Sequence, residues 1–323
     1  MKISVLGCGR WGTCIAWYLH KTGHDVVLWG RDDEVFRSLR EKRANDYMEL
    51  PDTLVLSGDL KEAVERAEIL VISISSQALR SFAQDIRALG AKNKIFILCM
   101  KGLEVETGCR LSEVMEEYLG GDNRIAVWVG PGHVQYFTQG IPNCMVIDSK
   151  DQELVRYLVK NLGSDLIRFY YGNDLIGNEI GAASKNVMGI AAGMLDGLGL
   201  TCLKGALMAR GTREIARLVK AMGGNELSPY GLCHLGDYEA TLFSPHSHNR
   251  RFGEMFVKGE RFGKLAEGVS TCEAMLVLSQ KYHVELPVCQ TVSDVIHGRG
   301  EARELLNRLF SRQVKTEFYT GEE

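Results

Sequence analysis

The sequence lacks the features of a secreted or membrane-embedded protein. No apolar run reaches the roughly 18 residues that a membrane-spanning helix needs. The chain starts directly with a strand-like apolar run, without a basic stretch and a cleavable apolar segment. The nine cysteines are an odd number and show neither CxxC nor Cys/His metal spacing. We therefore expect a cytoplasmic protein with no metal site, in which the following thiols are free and buried: Cys8, Cys14, Cys99, Cys144 and Cys289.

The chain also lacks an excess of charge of either sign. Its formal net charge is only -3 over 323 residues, which excludes the electrostatic footprint of a protein that binds nucleic acid or an anionic membrane surface. With 45% hydrophobic and 24% charged residues, the composition is that of an ordered globular protein. The length favours two domains, and the expected partner is a small molecule.

The first half alternates short apolar runs with longer helical patterns. This alternation predicts a doubly wound, mainly parallel sheet with helices on both faces, which is an α/β fold. The predicted strands cover residues 2–7, 25–29, 68–75, 94–100, 125–130 and 143–147. The predicted helices cover residues 10–22, 33–42, 77–89 and 110–118.

The second half has a different pattern, in which β-branched runs are rare. Residues 178–195, 204–221 and 267–282 have helical periodicity and are rich in small and apolar side chains. We place a domain boundary near Gly172. Residues 1–172 are predicted to bind a dinucleotide, and residues 173–323 to form an all-α substrate and catalytic domain.

A glycine motif follows the first predicted strand. Gly7, Gly9 and Gly12 form G-x-G-x-x-G between that strand and the first helix. The first glycine permits a tight turn, the second lets the backbone approach a pyrophosphate, and the third allows close helix–strand packing. The helix N-terminus then offers N–H groups to the phosphates. This context predicts the dinucleotide site of a Rossmann domain.

The residues at the end of the second predicted strand do not decide between NAD and NADP. A fold that prefers NAD usually has an acidic residue there for the ribose 2′-hydroxyl, whereas this chain reads Gly30-Arg31-Asp32. Arg31 suits a 2′-phosphate or stacking on adenine, while Asp32 or Asp33 suits NAD. Arg31 is alternatively a solvated loop residue. The expectation is NADP or dual use.

Several charged side chains are candidates for proton transfer and for binding an anionic substrate. Lys185 lies in an otherwise apolar, small-residue helical pattern, where desolvation lowers the pKa of an amine toward the range useful for proton transfer. Lys101 follows a buried strand, at the sheet edge where such folds bind ligands. Asp237 follows a glycine-rich turn and is either a partner of Lys185 or a helix cap. Residues 247–253 suit a phosphate or form a solvated basic loop.

Five sequence blocks resemble the bacterial and eukaryotic sn-glycerol-3-phosphate dehydrogenases. The block around Lys185 is the most particular, since an S-K-N lysine in a Gly/Ala-rich helix is uncommon among Rossmann enzymes. The blocks occur in the same order as in that family and extend along most of the chain, at residues 7–13, 101–108, 129–142, 173–199 and 231–253.

The resemblance implies a role for individual residues. Lys185 would transfer the proton, Asp237 would orient it, and Lys101 would touch both coenzyme and substrate. The remaining substrate contacts would come from Gly130, Gly132, Ser247, His248 and Asn249. The dinucleotide would be lined by Arg10, Trp11, Arg31, Val134, Leu265 and Glu267, beside the glycine motif.

Three positions depart from the family pattern. Gly132 stands where the family usually has Ser or Thr, and His248 where it has an arginine. Residues 200–202 lack the family's asparagine. A histidine is mostly neutral at pH 7, so its presence removes a fixed cation near the phosphate. Arg250, two residues away, is a candidate substitute.

The implied activity is interconversion of dihydroxyacetone phosphate and sn-glycerol 3-phosphate by hydride transfer, which supplies phospholipid synthesis. The implied coenzyme is NADP or NAD, and the expected assembly is a homodimer. Two alternatives stay open. One is another two-domain dehydrogenase of a hydroxy acid or sugar phosphate, and the other is a catalytically weak protein that senses the coenzyme.

Overall fold

A computed structural model describes residues 1–313 and 316–317. In these residues ten strands lie in the first half of the chain. They are β1 (Lys2–Leu6), β2 (Asp25–Trp29), β3 (Ala44–Asn45), β4 (Met48–Glu49), β5 (Val55–Ser57), β6 (Ile69–Ile72), β7 (Ile95–Leu98), β8 (Arg124–Val129), β9 (Asn143–Asp148) and β10 (Ile167–Tyr171). The helices between them are α1 (Arg10–Lys21), α2 (Glu34–Lys42), α3 (Leu60–Arg66), α4 (Leu79–Ala88), α5 (Leu111–Leu119), α6 (Val134–Thr138) and α7 (Gln152–Leu162).

Eight of these strands form one sheet in the order β10-β9-β8-β7-β6-β1-β2-β5. The six strands from β5 to β8 are parallel and have the order that defines a doubly wound dinucleotide-binding sheet. Strand β9 pairs antiparallel with β8, and β10 is parallel to β9. The prediction of a mainly parallel sheet is confirmed. The sequence pattern did not predict that β9 runs antiparallel to β8. An antiparallel strand needs no crossover helix, so the alternation of strands and helices does not report its direction.

The parallel strands are buried on both faces, as continuous apolar runs predict. All four residues of β6 are buried, and so are the last four of β1 and β2. Burial differs from the prediction at two thiols: Cys14, Cys99 and Cys289 are buried, but Cys8 and Cys144 are only partly buried. All nine cysteines are free.

The helical half begins after β10. Its helices are α8 (Leu175–Gly197), α9 (Lys204–Ala221), α10 (His248–Val257), α11 (Glu267–Tyr282), α12 (Pro287–Ile296) and α13 (Ala302–Phe310). Short 3₁₀ and π-helical turns connect α9 to α10. This half matches the predicted all-α architecture. The sequence pattern had shown the positions of α8, α9 and α11 but not those of α10, α12 and α13.

Helix α8 is the central element, and it is buried along almost its whole length. Its glycines let α10 approach backbone to backbone. A Cβ added at Gly193 would lie 1.8 Å from the Arg250 carbonyl oxygen, and one at Gly253 would lie 2.1 Å from the Ile190 carbonyl oxygen. Both distances are far below van der Waals contact. This packing fixes the start of α10 beside the middle of α8, where Lys185 lies.

A buried carboxylate joins the two halves. Glu179 of α8 accepts hydrogen bonds from the backbone N–H (2.9 Å) and hydroxyl (2.6 Å) of Ser112, at the start of α5. It also pairs with Arg110 at 2.8 Å. Burial raises the pKa of Glu179, although the guanidinium and the Ser112 donors oppose that rise. The carboxylate therefore caps a helix of one half from a helix of the other.

We expect Glu179→Ala to lower the free energy of unfolding by about 3 to 5 kcal/mol, because it removes the buried carboxylate that pairs with the Arg110 guanidinium and caps α5. Glu113→Ala is the matched control. Glu113 pairs with the same Arg110 but is 44% exposed, so its loss should cost about 1 kcal/mol. Urea denaturation followed by circular dichroism measures both. Equal losses for the two variants would contradict the interdomain role.

Candidate active site

A cleft of about 770 Å³ opens at the carboxyl ends of the parallel strands and is closed on its other side by α8 and the turn before α10. Most of the site residues expected from the sequence meet there. They are Gly7, Gly9, Arg10, Trp11, Arg31, Lys101, Gly132, Val134, Lys185, Asp237, Ser247, His248, Asn249, Leu265 and Glu267. The cleft thus combines strands of the first half with helices of the second.

The glycine motif forms a cradle at one end of the cleft. Gly7 has φ of +120°, and a Cβ there would lie 2.1 Å from the Ser73 carbonyl oxygen. Gly9 faces open space, with no atom within 4 Å of an added Cβ. Gly12 does not line the cleft, because it packs against the Gly7 carbonyl. Helix α1 starts at Arg10 with no acidic residue in its first turn, so its N-terminus is open to a phosphate.

At the end of β2, Asp33 lines the cleft, and one of its two carboxylate oxygens already has a partner. That carboxylate accepts a hydrogen bond from the Phe36 N–H at 2.9 Å and caps α2. Arg31 is exposed at the cleft. Sequence reasoning missed the apolar wall beside it, where the rings of Trp29 and Phe82 stack at 5.5 Å. Such a wall suits a flat aromatic base.

Two lysines share one buried carboxylate at the centre of the cleft. Asp237 Oδ2 lies 2.6 Å from Lys185 Nζ and 2.7 Å from Lys101 Nζ. Lys101 also donates to the Gly130 carbonyl oxygen at 2.7 Å. Asp237 therefore pairs with Lys185, which was one of the two readings of its sequence. Two ammonium groups on one carboxylate leave a net positive charge in the cleft.

Burial lowers the pKa of Lys185 to about 8, even though Asp237 acts in the opposite direction. The sequence predicted this direction from the apolar helix around the lysine. Thr241, which was not predicted, accepts a hydrogen bond from Lys185 Nζ at 2.9 Å and donates to the Asp237 carbonyl oxygen at 2.7 Å. Its spacing of four residues from Asp237 is the sequence signal that could have found it.

A second unpredicted residue, Asn186, follows Lys185 in the chain. Its side-chain amide donates to the Lys101 carbonyl oxygen at 2.8 Å and so fixes the backbone that carries the other lysine. Farther along the cleft, Ser76 Oγ donates to Glu267 at 3.4 Å. Asn249 accepts from the Gly268 N–H at 2.9 Å, which links the starts of α10 and α11.

The N-cap and the first turn of α10 bring Ser247, His248 and Asn249 to the cleft, but the structure does not bring Arg250 there. The Arg250 guanidinium lies 2.7 Å from Asp196 and 3.0 Å from Glu254, and it donates to the Ser244 carbonyl oxygen. Sequence spacing alone could not reveal that these carboxylates turn the guanidinium away. Burial, followed by the charge of Arg10, lowers the pKa of His248.

The two glycines after β8 have different positions. The carbonyl oxygen of Gly130 accepts the hydrogen bond from Lys101 Nζ. The backbone of Gly130 has φ of +130°. Gly132 lines the cleft. A Cβ at Gly132 would lie 2.6 Å from Phe137 Cε2 and 3.4 Å from Trp11. The absence of the usual Ser or Thr is therefore matched by a phenylalanine ring that occupies its space.

No group of three or more His, Cys, Asp or Glu side chains that could hold a metal ion occurs among residues 1–313 and 316–317. Over the same residues, no helix has the length and apolarity needed to cross a bilayer.

A doubly wound sheet with an open glycine cradle, joined to a helical half that carries a buried lysine, defines the class of two-domain dinucleotide-dependent dehydrogenases. Comparison with known proteins identifies the family. The profile for the N-terminus of NAD-dependent glycerol-3-phosphate dehydrogenase matches residues 2–155, and the profile for its C-terminus matches residues 174–307.

Individual proteins agree with these profiles. Glycerol-3-phosphate dehydrogenase [NAD(P)+] of Fusobacterium nucleatum is 36% identical over 98% of each chain, and that of Thermoanaerobacter sp. is 35% identical over 99% of each. The crystal structure of glycerol-3-phosphate dehydrogenase from Coxiella burnetii superposes with a TM-score of 0.89 at 28% identity, covering 96% of this chain and 99% of that one. The chain belongs to the NAD-dependent glycerol-3-phosphate dehydrogenase family.

We expect Arg31→Ala to weaken NADPH about tenfold and NADH less than twofold, since only NADPH carries a 2′-phosphate for the guanidinium. Arg37→Ala is the matched control, because Arg37 is exposed on α2 and does not line the cleft. Dissociation constants from fluorescence titration decide the question. If Arg31→Ala weakens both coenzymes equally, Arg31 does not distinguish them.

Proposed function

We propose that the protein is an NAD(P)-dependent glycerol-3-phosphate dehydrogenase that interconverts dihydroxyacetone phosphate and sn-glycerol 3-phosphate. The observation that carries the proposal is that the Lys185–Asp237 pair, beside Lys101, lines the same cleft as the glycine cradle. Membership of the glycerol-3-phosphate dehydrogenase family supports this choice of substrate. Residues 1–172 serve as the dinucleotide domain and residues 173–323 as the catalytic domain. Phospholipid supply, a cytoplasmic location and a homodimer belong to the same proposal.

The cradle residues fit a nicotinamide dinucleotide, because Gly9 leaves open space at the N-terminus of α1. When bound, the coenzyme supplies or accepts the hydride. The chain's own contribution is proton transfer. Lys185, as an ammonium, protonates the oxygen of the developing alcohol during reduction, and as an amine it removes that proton during oxidation. A pKa of about 8 makes both forms accessible near neutral pH.

The neighbours of Lys185 hold its amine in place. Asp237 and Thr241 occupy two of its hydrogen-bonding positions, which leaves the third for the substrate oxygen. Lys101 is anchored on Gly130 and Asp237, and its positive charge stabilises the developing alkoxide. Ser247, His248 and Asn249 provide polar groups for the substrate phosphate at the far side of the cleft.

Assay of coenzyme oxidation against a panel of keto compounds tests the proposal. Dihydroxyacetone phosphate should be turned over fastest, ahead of other sugar phosphates and of 2-keto acids. Lys185→Met should lower kcat by about 10²- to 10⁴-fold, the contribution of a general acid, without changing the coenzyme dissociation constant. Lys264→Met, at an exposed site outside the cleft, is the control and should retain activity. Preference for a keto acid, or a Lys185→Met enzyme with near-normal kcat, would contradict the proposal.

The pH dependence follows from the same amine. In the reductive direction the acid must be protonated, so kcat/KM should fall as pH rises through about 8. Asp237 favours the charged amine, so Asp237→Asn should lower the pKa of Lys185 and move this fall to lower pH. Thr241→Val removes a hydrogen bond but no charge, so its midpoint should move less. Identical midpoints for wild type and Asp237→Asn would mean that another group titrates.

A further inference from the structure

The cleft contains a cation that has no carboxylate partner. Arg10, the first residue of α1, is partly buried, and burial lowers its pKa. Its guanidinium contacts only neutral groups in the described part of the chain: the His246 carbonyl oxygen at 3.3 Å, His133 Nδ1 at 3.2 Å, Gln135 Oε1 at 3.5 Å and the Tyr47 ring at 5.1 Å. A partly buried charge without a counter-ion is unfavourable unless a ligand supplies one.

Four other cations around the site have carboxylate partners. Lys101 and Lys185 share Asp237, and Lys204 and Arg250 share Asp196. Arg10 therefore differs from its neighbours in having its charge available. A guanidinium has five N–H donors, and the contacts above involve only its two terminal nitrogens. The remaining donors suit a phosphate, which guanidinium groups bind in a forked geometry.

The position of Arg10 ties it to the turn before α10. It reaches from the glycine cradle across the cleft to the carbonyl of His246, two residues before His248. Both Arg10 and His248 line the cleft, and burial followed by the charge of Arg10 lowers the pKa of His248. A histidine with a lowered pKa is neutral at pH 7, so His248 supplies no fixed charge there. Arg10 is the permanent cation that borders this end of the cleft.

We propose that Arg10 binds the phosphate group of the substrate and supplies the positive charge that position 248 lacks in this chain. This inference rests on the proposed function and adds to it a specificity-determining residue. The phosphate of dihydroxyacetone phosphate then lies between the Arg10 guanidinium and the polar groups of Ser247 and Asn249. Contact with the coenzyme pyrophosphate, the other phosphate source in this cleft, is the competing outcome.

The test compares a phosphorylated with an unphosphorylated substrate. Arg10→Met keeps an unbranched apolar side chain at this position and removes the guanidinium charge. We expect kcat/KM for dihydroxyacetone phosphate to fall about 10- to 100-fold, the scale of a hydrogen bond between charged groups. The value for dihydroxyacetone should change less than about threefold. The dissociation constant of NADPH, from fluorescence titration, should also change less than about threefold.

Two further variants complete the experiment. Arg10→Met combined with His248→Arg should recover most of the activity, because the second change returns a guanidinium to the same end of the cleft. Arg251→Met is the charge-matched control. Arg251 is exposed outside the cleft, so its loss should leave the preference for the phosphorylated substrate within about twofold.

Three results would overturn the inference. An unchanged preference for the phosphorylated substrate in Arg10→Met would show that Arg10 does not bind its phosphate. Equal losses for both substrates, with weakened NADPH, would place Arg10 on the coenzyme pyrophosphate instead. A wild-type enzyme that does not reduce dihydroxyacetone phosphate would refute the proposed function and this inference with it. That last result can be distinguished from a failure of the Arg10 inference alone, because it is observed with the wild-type enzyme.

Discussion

The Asp237 carboxylate is the interaction on which the site depends. It is 1% exposed, and it holds one ammonium from each half of the molecule: Lys101 follows β7 of the sheet, and Lys185 lies in the middle of α8. None of these charges would tolerate burial alone, so the three must form together. The cluster therefore fixes the position of the helical half over the carboxyl edge of the sheet. Glu179, which caps α5 from α8, reinforces the same contact.

The burial of Asp237, Lys101 and Lys185 together determines the pKa of Lys185. Burial weakens the ammonium form of Lys185, and Asp237 restores part of that loss, with the result that the pKa of the amine is about 8. An isolated buried lysine would be neutral, and a fully exposed one would be too weak an acid. Thr241 and Asp237 both contact the amine and so hold it in one position in the cleft.

Two of the three departures from the family pattern have a spatial neighbour that bears on them. Gly132 accompanies Phe137, whose ring lies within 2.6 Å of any Cβ at that position. His248 accompanies Arg10, whose guanidinium reaches the neighbouring His246 carbonyl. Phe137 occupies the space beside Gly132, and Arg10 supplies the positive charge that we propose for the substrate phosphate.

Much of this site could be predicted from the sequence, since the deciding signals are local. The glycine motif after a strand fixed the coenzyme end, and the apolar helix around Lys185 gave both its burial and the direction of its pKa. The antiparallel direction of β9, the contact of Asn186 with Lys101 and the orientation of Arg250 could not be derived in this way. Each depends on contacts between segments far apart in the chain. Periodicity and spacing report which face of an element is buried, but only the folded chain decides which charges meet.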